Sequence, residues 1–336
     1  MSPRATISDV AEKARVSIST VSRVLNNTVP VDEETAQRVR ETVSALHYTP
    51  HSAARTLASR HTNTIGLLLL DIGGEFYTPL LRGIEAVSSQ AGYDLLIHST
   101  ITAMSGVTPR RALGEHNTDG LLVFTGAVDT EELTRLYAIG FPVVLLHQSP
   151  PRKVKIPVIT IKNQSGARKI VDHLIETHGC KRIIFLQGPD DNEDSEQREK
   201  GYRQSLKKHN LPYDPGLVVR GGYEPNQAHA AVATAIANGL EFDAIFTGDD
   251  DNAVGVIQAL REAGLRIPED VAVVGFDDSL FARILTPPLT TVRAPIEQVG
   301  REGVRQLIRL IRGEEVEARC VLPIELIIRQ SCGCSS

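Results

Sequence analysis

The sequence predicts a small all-α head followed by an α/β core of two lobes, each built on a parallel, doubly wound sheet. Three observations carry this. Residues 1–60 hold helix signals and no strand signals. From Ile65 onward, short apolar runs alternate with amphipathic stretches, the pattern of strand–helix–strand units with right-handed crossovers. The alternation comes in two series, which implies two lobes. A chain of 336 residues, 41% hydrophobic and 23% charged, supports about two to three domains with sizeable cores and excludes wholesale disorder.

In the head, Thr6-Ile7-Ser8-Asp9 reads as a capping box, with Val10, Ala11 and Ala14 sharing one face behind it. Arg15-Val16 makes a short turn. Ser17 caps a second helix from Ile18 to about Leu25, with Val21, Val24 and Leu25 inward; Asn26-Asn27 breaks it. Asp32 caps a third, where Ala36, Val39, Val43 and Leu46 recur at helical spacing. Two short helices, a tight turn and a bracing helix predict a helix-turn-helix. Its second helix exposes Ile18, Ser19, Ser22 and Arg23. Small hydroxyl side chains allow close approach to a major-groove floor, and Arg23 supplies a two-pronged donor for guanine. A structural three-helix cap fits the same pattern.

Pro50 ends the third helix. Residues 51–59 make barely two turns, too short for a stable isolated helix, with basic Arg55 and one large apolar side chain, Leu57. Such a segment suits folding in a minor groove with Leu57 as a wedge, or serves as a plain linker. Eight basic against six acidic residues give the first 60 positions +2, leaving −7 of the chain's −5 for the rest. A slightly basic head on an acidic body fits a polyanion-binding module and equally an unevenly charged surface.

In the core, strands are predicted at Ile65–Leu70, Tyr93–Ile97, Gly120–Phe124, Pro142–Leu146 and Val158–Ile161, with helices near 79–91, 109–117 and 130–139. The second series has strands at Lys181–Leu186, Leu217–Val219, Ala244–Thr247 and Val271–Val274, and helices near 163–178, 196–209, 226–238 and 251–263. Ligands of such sheets bind beyond the carboxyl ends of the strands, so the cleft between lobes is the expected site.

Several classes of chemistry lack their residues. The longest apolar run, Ile65 to Leu70, stops far short of the ~18 residues of a membrane span. No secretory leader is expected from the polar first 20 residues, and four cysteines suit a reducing cytoplasm better than a disulfide scaffold. There is no Gly-x-Gly-x-x-Gly after a strand, no Walker loop and no Gly-x-Ser-x-Gly elbow. Asp190-x-Asn192-x-Asp194 lacks the remaining calcium-loop ligands and reads as a solvated acidic loop through Glu196. His173 and His178 read as surface or packed helix residues. Cys332-Gly333-Cys334 has too few partners for zinc and reads as a frayed, reduced tail. Neither an enzymatic activity nor a cofactor is expected.

Thr6-Ile7-Ser8-Asp9-Val10-Ala11, then Val16 through Asn26, resembles the head of the lactose-repressor (LacI) family of bacterial transcription regulators. Tyr48-Thr49-Pro50 with Ala54-Arg55-Thr56-Leu57 resembles that family's hinge helix. Val271 through Asp278, Pro287 through Val292, and Gly179-Cys180-Lys181-Arg182-Ile183 resemble its effector core, a type I periplasmic-binding-protein fold. The resemblance runs from Thr6 to about Arg329. It implies a head over 1–49, a hinge helix and linker over 50–62, and a core over 63–336. Lobe 1 takes about 63–161 and 293–320, lobe 2 about 162–291 and 322–336, with chain crossings near 161–164, 291–293 and 320–323.

It also implies a repressor-like, homodimeric regulator of double-stranded, pseudo-palindromic DNA, controlled by a small molecule between the lobes. No Leu heptad closes the chain to make a tetramer. The DNA-contacting candidates are Thr6, Ser17, Ile18, Ser19, Thr20, Ser22, Arg23 and Asn26, with Ala54, Arg55 and Leu57 in the hinge. The effector candidates are Phe76, Tyr77, Arg198, Tyr223 and Asp277, joined by His147 and Asp249. These last two depart from the family pattern, as does Lys162-Asn163: Asp249 replaces an amide, and His147-Gln148 replaces an Asp and its neighbour. An aromatic face with an Arg and an Asp suits a sugar, and the added acid favours a neutral sugar over a phosphorylated one. The alternative is a free sugar-binding protein or sugar-processing enzyme with an appended helical head.

Overall fold

A computed structural model describes residues 5–26, 29–48, 61–100 and 112–335, in two compact units, Met1–Thr62 and Asn63–Ser336. Ala54, Arg55 and Leu57, and the Asn26 side chain, lie outside the described residues.

The first unit holds α1 (Ile7–Ala14), α2 (Ile18–Asn26) and α3 (Glu33–Ala45). Each begins on a side-chain cap that satisfies backbone N–H groups the helix leaves free. The Thr6 N–H donates to Asp9 at 2.7 Å, and the Asp9 N–H returns to the Thr6 hydroxyl at 3.4 Å. Ser17 accepts from the Thr20 N–H at 3.2 Å, and Asp32 from the Thr35 N–H at 2.9 Å. Arg15, at φ 54°, ends α1. The inward faces close on Val10, Ala14, Val21, Val24, Ala36 and Val39, with Tyr48 packed in from the far end. Arg38 Nε, donating to Ala14 O at 3.0 Å, pins α3 to the end of α1.

The second unit contains two parallel sheets. β1 (Thr64–Leu69), β2 (Asp94–Ser99), β3 (Gly120–Phe124), β4 (Val143–Leu146), β5 (Val158–Ile161) and β11 (Arg319–Leu322) form the first, in the order β11-β5-β4-β3-β1-β2. β6 (Ile183–Gln187), β7 (Val218–Arg220), β8 (Ala244–Phe246) and β9 (Ala272–Val274) form the second, in the order β7-β6-β8-β9. Helices α4 (Tyr77–Gln90), α5 (Thr130–Ala138), α6 (Asn163–His178), α7 (Glu193–Lys208), α8 (Pro225–Ala237), α9 (Asp250–Glu262), α10 (Leu280–Ile284) and α11 (Ile296–Ile311) connect them. β3, β4 and β5 are buried along their whole length, as parallel strands covered on both faces must be.

The chain leaves the first sheet after β5 and leaves the second through β10 (Thr291–Arg293). It returns by α11 to place β11 at the edge of the first sheet. β12 (Glu325–Ile327) then pairs antiparallel with β10. One apolar cluster joins the lobes, from Ile65, Leu67 and Leu122 to Phe185, Phe246 and Phe276.

Three local expectations are corrected. Residues 112–117, within the helix predicted over 109–117, form a turn. Asn117 drives it: its Oδ1 accepts from the Gly114 N–H at 3.0 Å and its Nδ2 donates to Ala112 O at 2.8 Å, the local side-chain bonding that competes with a helix. The acidic stretch 190–196 is not simply a solvated loop. Asn192 caps α7, and Asp194 in its first turn is buried. The C-terminal tail is not frayed: Cys332 is 2% exposed, and Ser331 is stitched to β9 through Val273 N–H to Ser331 O at 2.9 Å.

Candidate functional site

The second unit concentrates its buried charge where the lobes meet. Arg198, on α7, is 2% exposed. Its Nε donates to Asn163 Oδ1 at 3.0 Å, Nη1 to Gly248 O at 2.6 Å and Nη2 to Asp277 Oδ1 at 3.1 Å. The guanidinium lies 3.8 Å from the Phe276 ring centroid and 5.7 Å from that of Tyr223. Three of its five N–H donors are thus held by protein among the described residues.

One turn earlier on α7, Asp194 accepts from Asn163 Nδ2 at 2.6 Å and from His147 Nδ1, at the end of β4 in the other lobe, at 2.6 Å. Burial alone would raise the Asp194 carboxyl. The facing His147 and Arg198 and the hydrogen bonds outweigh it and hold the group below its ordinary value. Beside this pair, the Ser149 hydroxyl donates to Glu193 at 2.8 Å, a second bond from the first lobe to α7.

His147 packs against Phe124 and Phe76, ring centroids 5.3 and 6.0 Å away, and Tyr77 meets Phe124 at 5.5 Å. Burial, then nearby Asp71, pushes the Tyr77 hydroxyl up to about 12. Phe124 was missed in the sequence because it ends a plain apolar run. Tyr223 lies so close over Gly188 that a Cβ there would come within 2.4 Å of its ring. Six buried side-chain polar atoms have no hydrogen-bond partner among the described residues, and two of them, His147 Nε2 and the Tyr223 hydroxyl, belong to this network. With Nδ1 engaged by Asp194, the His147 ring leaves Nε2 for a ligand, and Tyr223 offers a hydroxyl that can donate or accept. Buried polar groups are rarely left unpaired except where a ligand or water completes them.

The backbone is strained at the same place. His147, Tyr223, Asp277 and Asp278 have φ of 60°, 59°, 111° and 58°. Side-chain-bearing residues adopt such values at a cost, and they gather at functional sites.

Asp249 lies beside the same network. Its Oδ1 caps α9, accepting from the Asn252 N–H at 3.0 Å. Burial, with Asp277 and Asp251 nearby, pushes its carboxyl well above the ordinary range. Asp250 is raised likewise, by burial and then Asp277, and bonds the Thr291 hydroxyl at 2.6 Å. Asp251 is raised to about 6, by burial and then Asp277 and Glu75. Asp277 is itself raised, burial outweighing Arg198. Two grooves reach this network. One, of about 390 Å3, is lined by Asn163 and Asp194; the other, of about 780 Å3, by Phe76, Asp277, Asp278 and Leu280. Arg198, 2% exposed, lines neither, so its guanidinium is closed off from solvent.

In the head, the side chains over one arc of about 140° of α2 are Ile18, Ser19, Ser22 and Arg23. Ile18 is 50% exposed; Ser19 and Arg23 are exposed and Ser22 half-buried. Ser17 lies 2.7 Å from the Ser19 hydroxyl and 2.9 Å from that of Thr20. Thr6 is exposed and engaged in its capping box.

Residues 6–51 match the family described as bacterial regulatory proteins, lacI family, and residues 171–332 match a periplasmic binding protein-like domain. The chain is 35% identical, over 332 residues, to the HTH-type transcriptional regulator RegA of Clostridium acetobutylicum, spanning 98% of this chain and 99% of that protein. Among solved structures it is similar to the transcriptional regulator CelR in complex with cellobiose, at 30% identity and a TM-score of 0.71 over 98% of this chain and 100% of that one. It is also similar to the lac repressor dimer bound to operator and the anti-inducer ONPF, at 25% identity and a TM-score of 0.83 over 98% and 99% of the two chains. Matches along the whole length, in both the head and the core, establish that this chain belongs to the LacI family of bacterial transcription regulators.

Proposed function

We propose that the protein is a homodimeric, non-enzymatic repressor whose α2 reads a pseudo-palindromic operator and whose core takes a neutral, hydroxyl-rich effector, a mono- or oligosaccharide. The observation that carries the effector reading is the pair of buried, unpartnered polar atoms, His147 Nε2 and the Tyr223 hydroxyl, beside the Arg198 guanidinium. A ring nitrogen, a hydroxyl and guanidinium donors suit sugar hydroxyls, which both donate and accept. Asp277, paired with Arg198 at 3.1 Å, and the nearby Asp194 carboxylate offset the Arg198 charge, so no surplus cation is left for an anion. The cellobiose complex of a relative supports the same class.

Ligand entry requires the His147–Asp194 and Ser149–Glu193 bonds to part, because the Arg198 guanidinium is closed off from solvent. Binding therefore biases the two lobes between open and closed arrangements, and the lobes transmit that bias to the heads. Apolar side chains suited to a second copy are exposed on both lobes: Leu96 and Ile97 on edge strand β2, and Leu280 and Ile284 on α10, at 41%, 44%, 54% and 61%.

Selection from random duplexes tests the DNA half. It should return a symmetric site with half-sites about one helical turn apart. Arg23→Ala should cost about 1–3 kcal/mol and relax preference at one base pair per half-site. Recovery of no symmetric site overturns the reading; a uniform loss over all base variants makes Arg23 a phosphate contact instead.

A further inference from the structure

His173 and His178 stand on the last turns of α6, which Gly179 ends at φ 70°. The tail returns to them after β12. Ser331 anchors it, its hydroxyl donating to Val273 O at 2.6 Å and accepting from the Thr290 N–H at 2.8 Å. A turn closed by the Gly333 N–H to Gln330 O, at 3.0 Å, then brings Cys334 round beside Cys332. Gly333 has φ 104°, and a Cβ there would come within 3.2 Å of the His178 ring, so the residue between the cysteines must be small.

Four ligand atoms converge as a result. His173 Nε2 is 3.3 Å from His178 Nε2, 3.5 Å from Cys332 Sγ and 3.7 Å from Cys334 Sγ, and Cys334 Sγ is 3.4 Å from His178 Nε2. All four lie within 4.8 Å of one another. A tetrahedron with metal–nitrogen bonds of about 2.05 Å and metal–sulfur bonds of about 2.3 Å has edges of about 3.3 Å between nitrogens and about 3.6 Å between nitrogen and sulfur. Hydrogen bonding does not account for this convergence, since His173 Nε2 faces three partners and, as donor or as acceptor, has one N–H or one lone pair to give.

The surroundings fit a metal as well. His173 Nδ1 is 3.2 Å from the Thr177 hydroxyl, which orients the ring, and the Thr290 hydroxyl donates to Cys332 Sγ at 3.1 Å. Two thiolates and a divalent cation leave no net charge in a place where Cys332 is fully buried. The cluster of Asp172, Glu176 and His209 differs: Lys208 already supplies its cation, 3.0 and 2.9 Å from the two carboxylates.

We propose that His173, His178, Cys332 and Cys334 form a structural zinc site that fastens the C-terminal tail to the end of α6. Four protein ligands leave no open position, which marks a structural site and not a catalytic one. The same helix begins at Asn163, which bonds both Asp194 and Arg198, so the metal steadies the helix that carries part of the cleft network.

The test uses the full-length protein, purified with reductant and zinc and then freed of unbound metal. Elemental analysis should find about one zinc per chain. Cobalt exchanged into the site should give the sulfur-to-cobalt charge-transfer band and intense visible bands of tetrahedral coordination. Cys334→Ser and His178→Asn should lose the zinc and the cobalt spectrum, while Cys320→Ser keeps both. Thr177→Val should weaken zinc binding about tenfold by freeing the His173 ring. A chelator should lower the melting temperature of the parent protein and leave that of Cys334→Ser unchanged. This last comparison reads the site even if Cys332→Ser fails to fold. Failure of the reduced parent to take up zinc or cobalt overturns the proposal. So does a cobalt spectrum that survives in Cys334→Ser and His178→Asn, or a Cys332–Cys334 disulfide under the same reducing conditions.

Discussion

His147 and Asp194 join the two lobes through a 2.6 Å hydrogen bond between groups 47 residues apart in sequence. Asp194 also accepts from Asn163, so Asp194→Ala leaves two buried donors without a partner. Breaking a buried, charge-assisted pair from one side costs about 3–5 kcal/mol. Urea unfolding near neutral pH should show a loss of that order. The Asp194 carboxyl is held below its ordinary value in the folded chain, so its contribution is complete above that value and fades as the pH falls through the lowered one. The penalty of Asp194→Ala should therefore shrink in acid. A loss below about 1 kcal/mol near neutral pH would show that the bond does not hold the lobes.

Tyr223→Phe separates a binding role from a packing role. The hydroxyl is buried and unpartnered among the described residues, so removing it takes no protein hydrogen bond away. Stability should hold or rise slightly, while effector affinity falls by about 0.5–1.5 kcal/mol, up to roughly tenfold. Calorimetry with the parent's best sugar checks this. Unchanged affinity would remove Tyr223 from the site.

Asp251 lies between the lobes, close enough to Gly74 that a Cβ there would meet its Oδ2 at 3.0 Å. Its carboxyl is raised from 3.8 to about 6, by burial first and then by Asp277 and Glu75. The folded chain thus holds this proton more tightly than the unfolded chain. The cost of ionising it is absent below the unfolded value and complete above the folded one. Asp251→Asn should stabilise the protein by about 1–3 kcal/mol near pH 8 and by little near pH 4. Equal gains at both pH values, or a loss near pH 8, would contradict the assignment.

The sequence made the head legible because its determinants are local. The Thr6–Asp9 box and the Asp32 cap each act over three residues. Strands β1 to β9 were placed to within one or two residues because buried parallel strands are continuous apolar runs, whereas β10, β11 and β12, short and partly exposed, were not predicted. What was missed depends on residues that only the topology brings together. The His147–Asp194 bond spans 47 positions and the His173–Cys332 contact 159. Asp194 read as a solvated loop charge until α7 turned it inward, and Cys332 and Cys334 read as a loose tail until Ser331 tied them to β9.

The central claim is that the cleft and the operator are coupled. It is tested most directly by the operator affinity of the full-length protein, measured by fluorescence anisotropy with and without a neutral sugar that raises its melting temperature. A coupling of about 1–3 kcal/mol corresponds to a roughly 5- to 150-fold change in Kd. The account predicts a shift within that range, abolished by Arg198→Ala. An operator Kd that stays the same while the sugar saturates the core would contradict it.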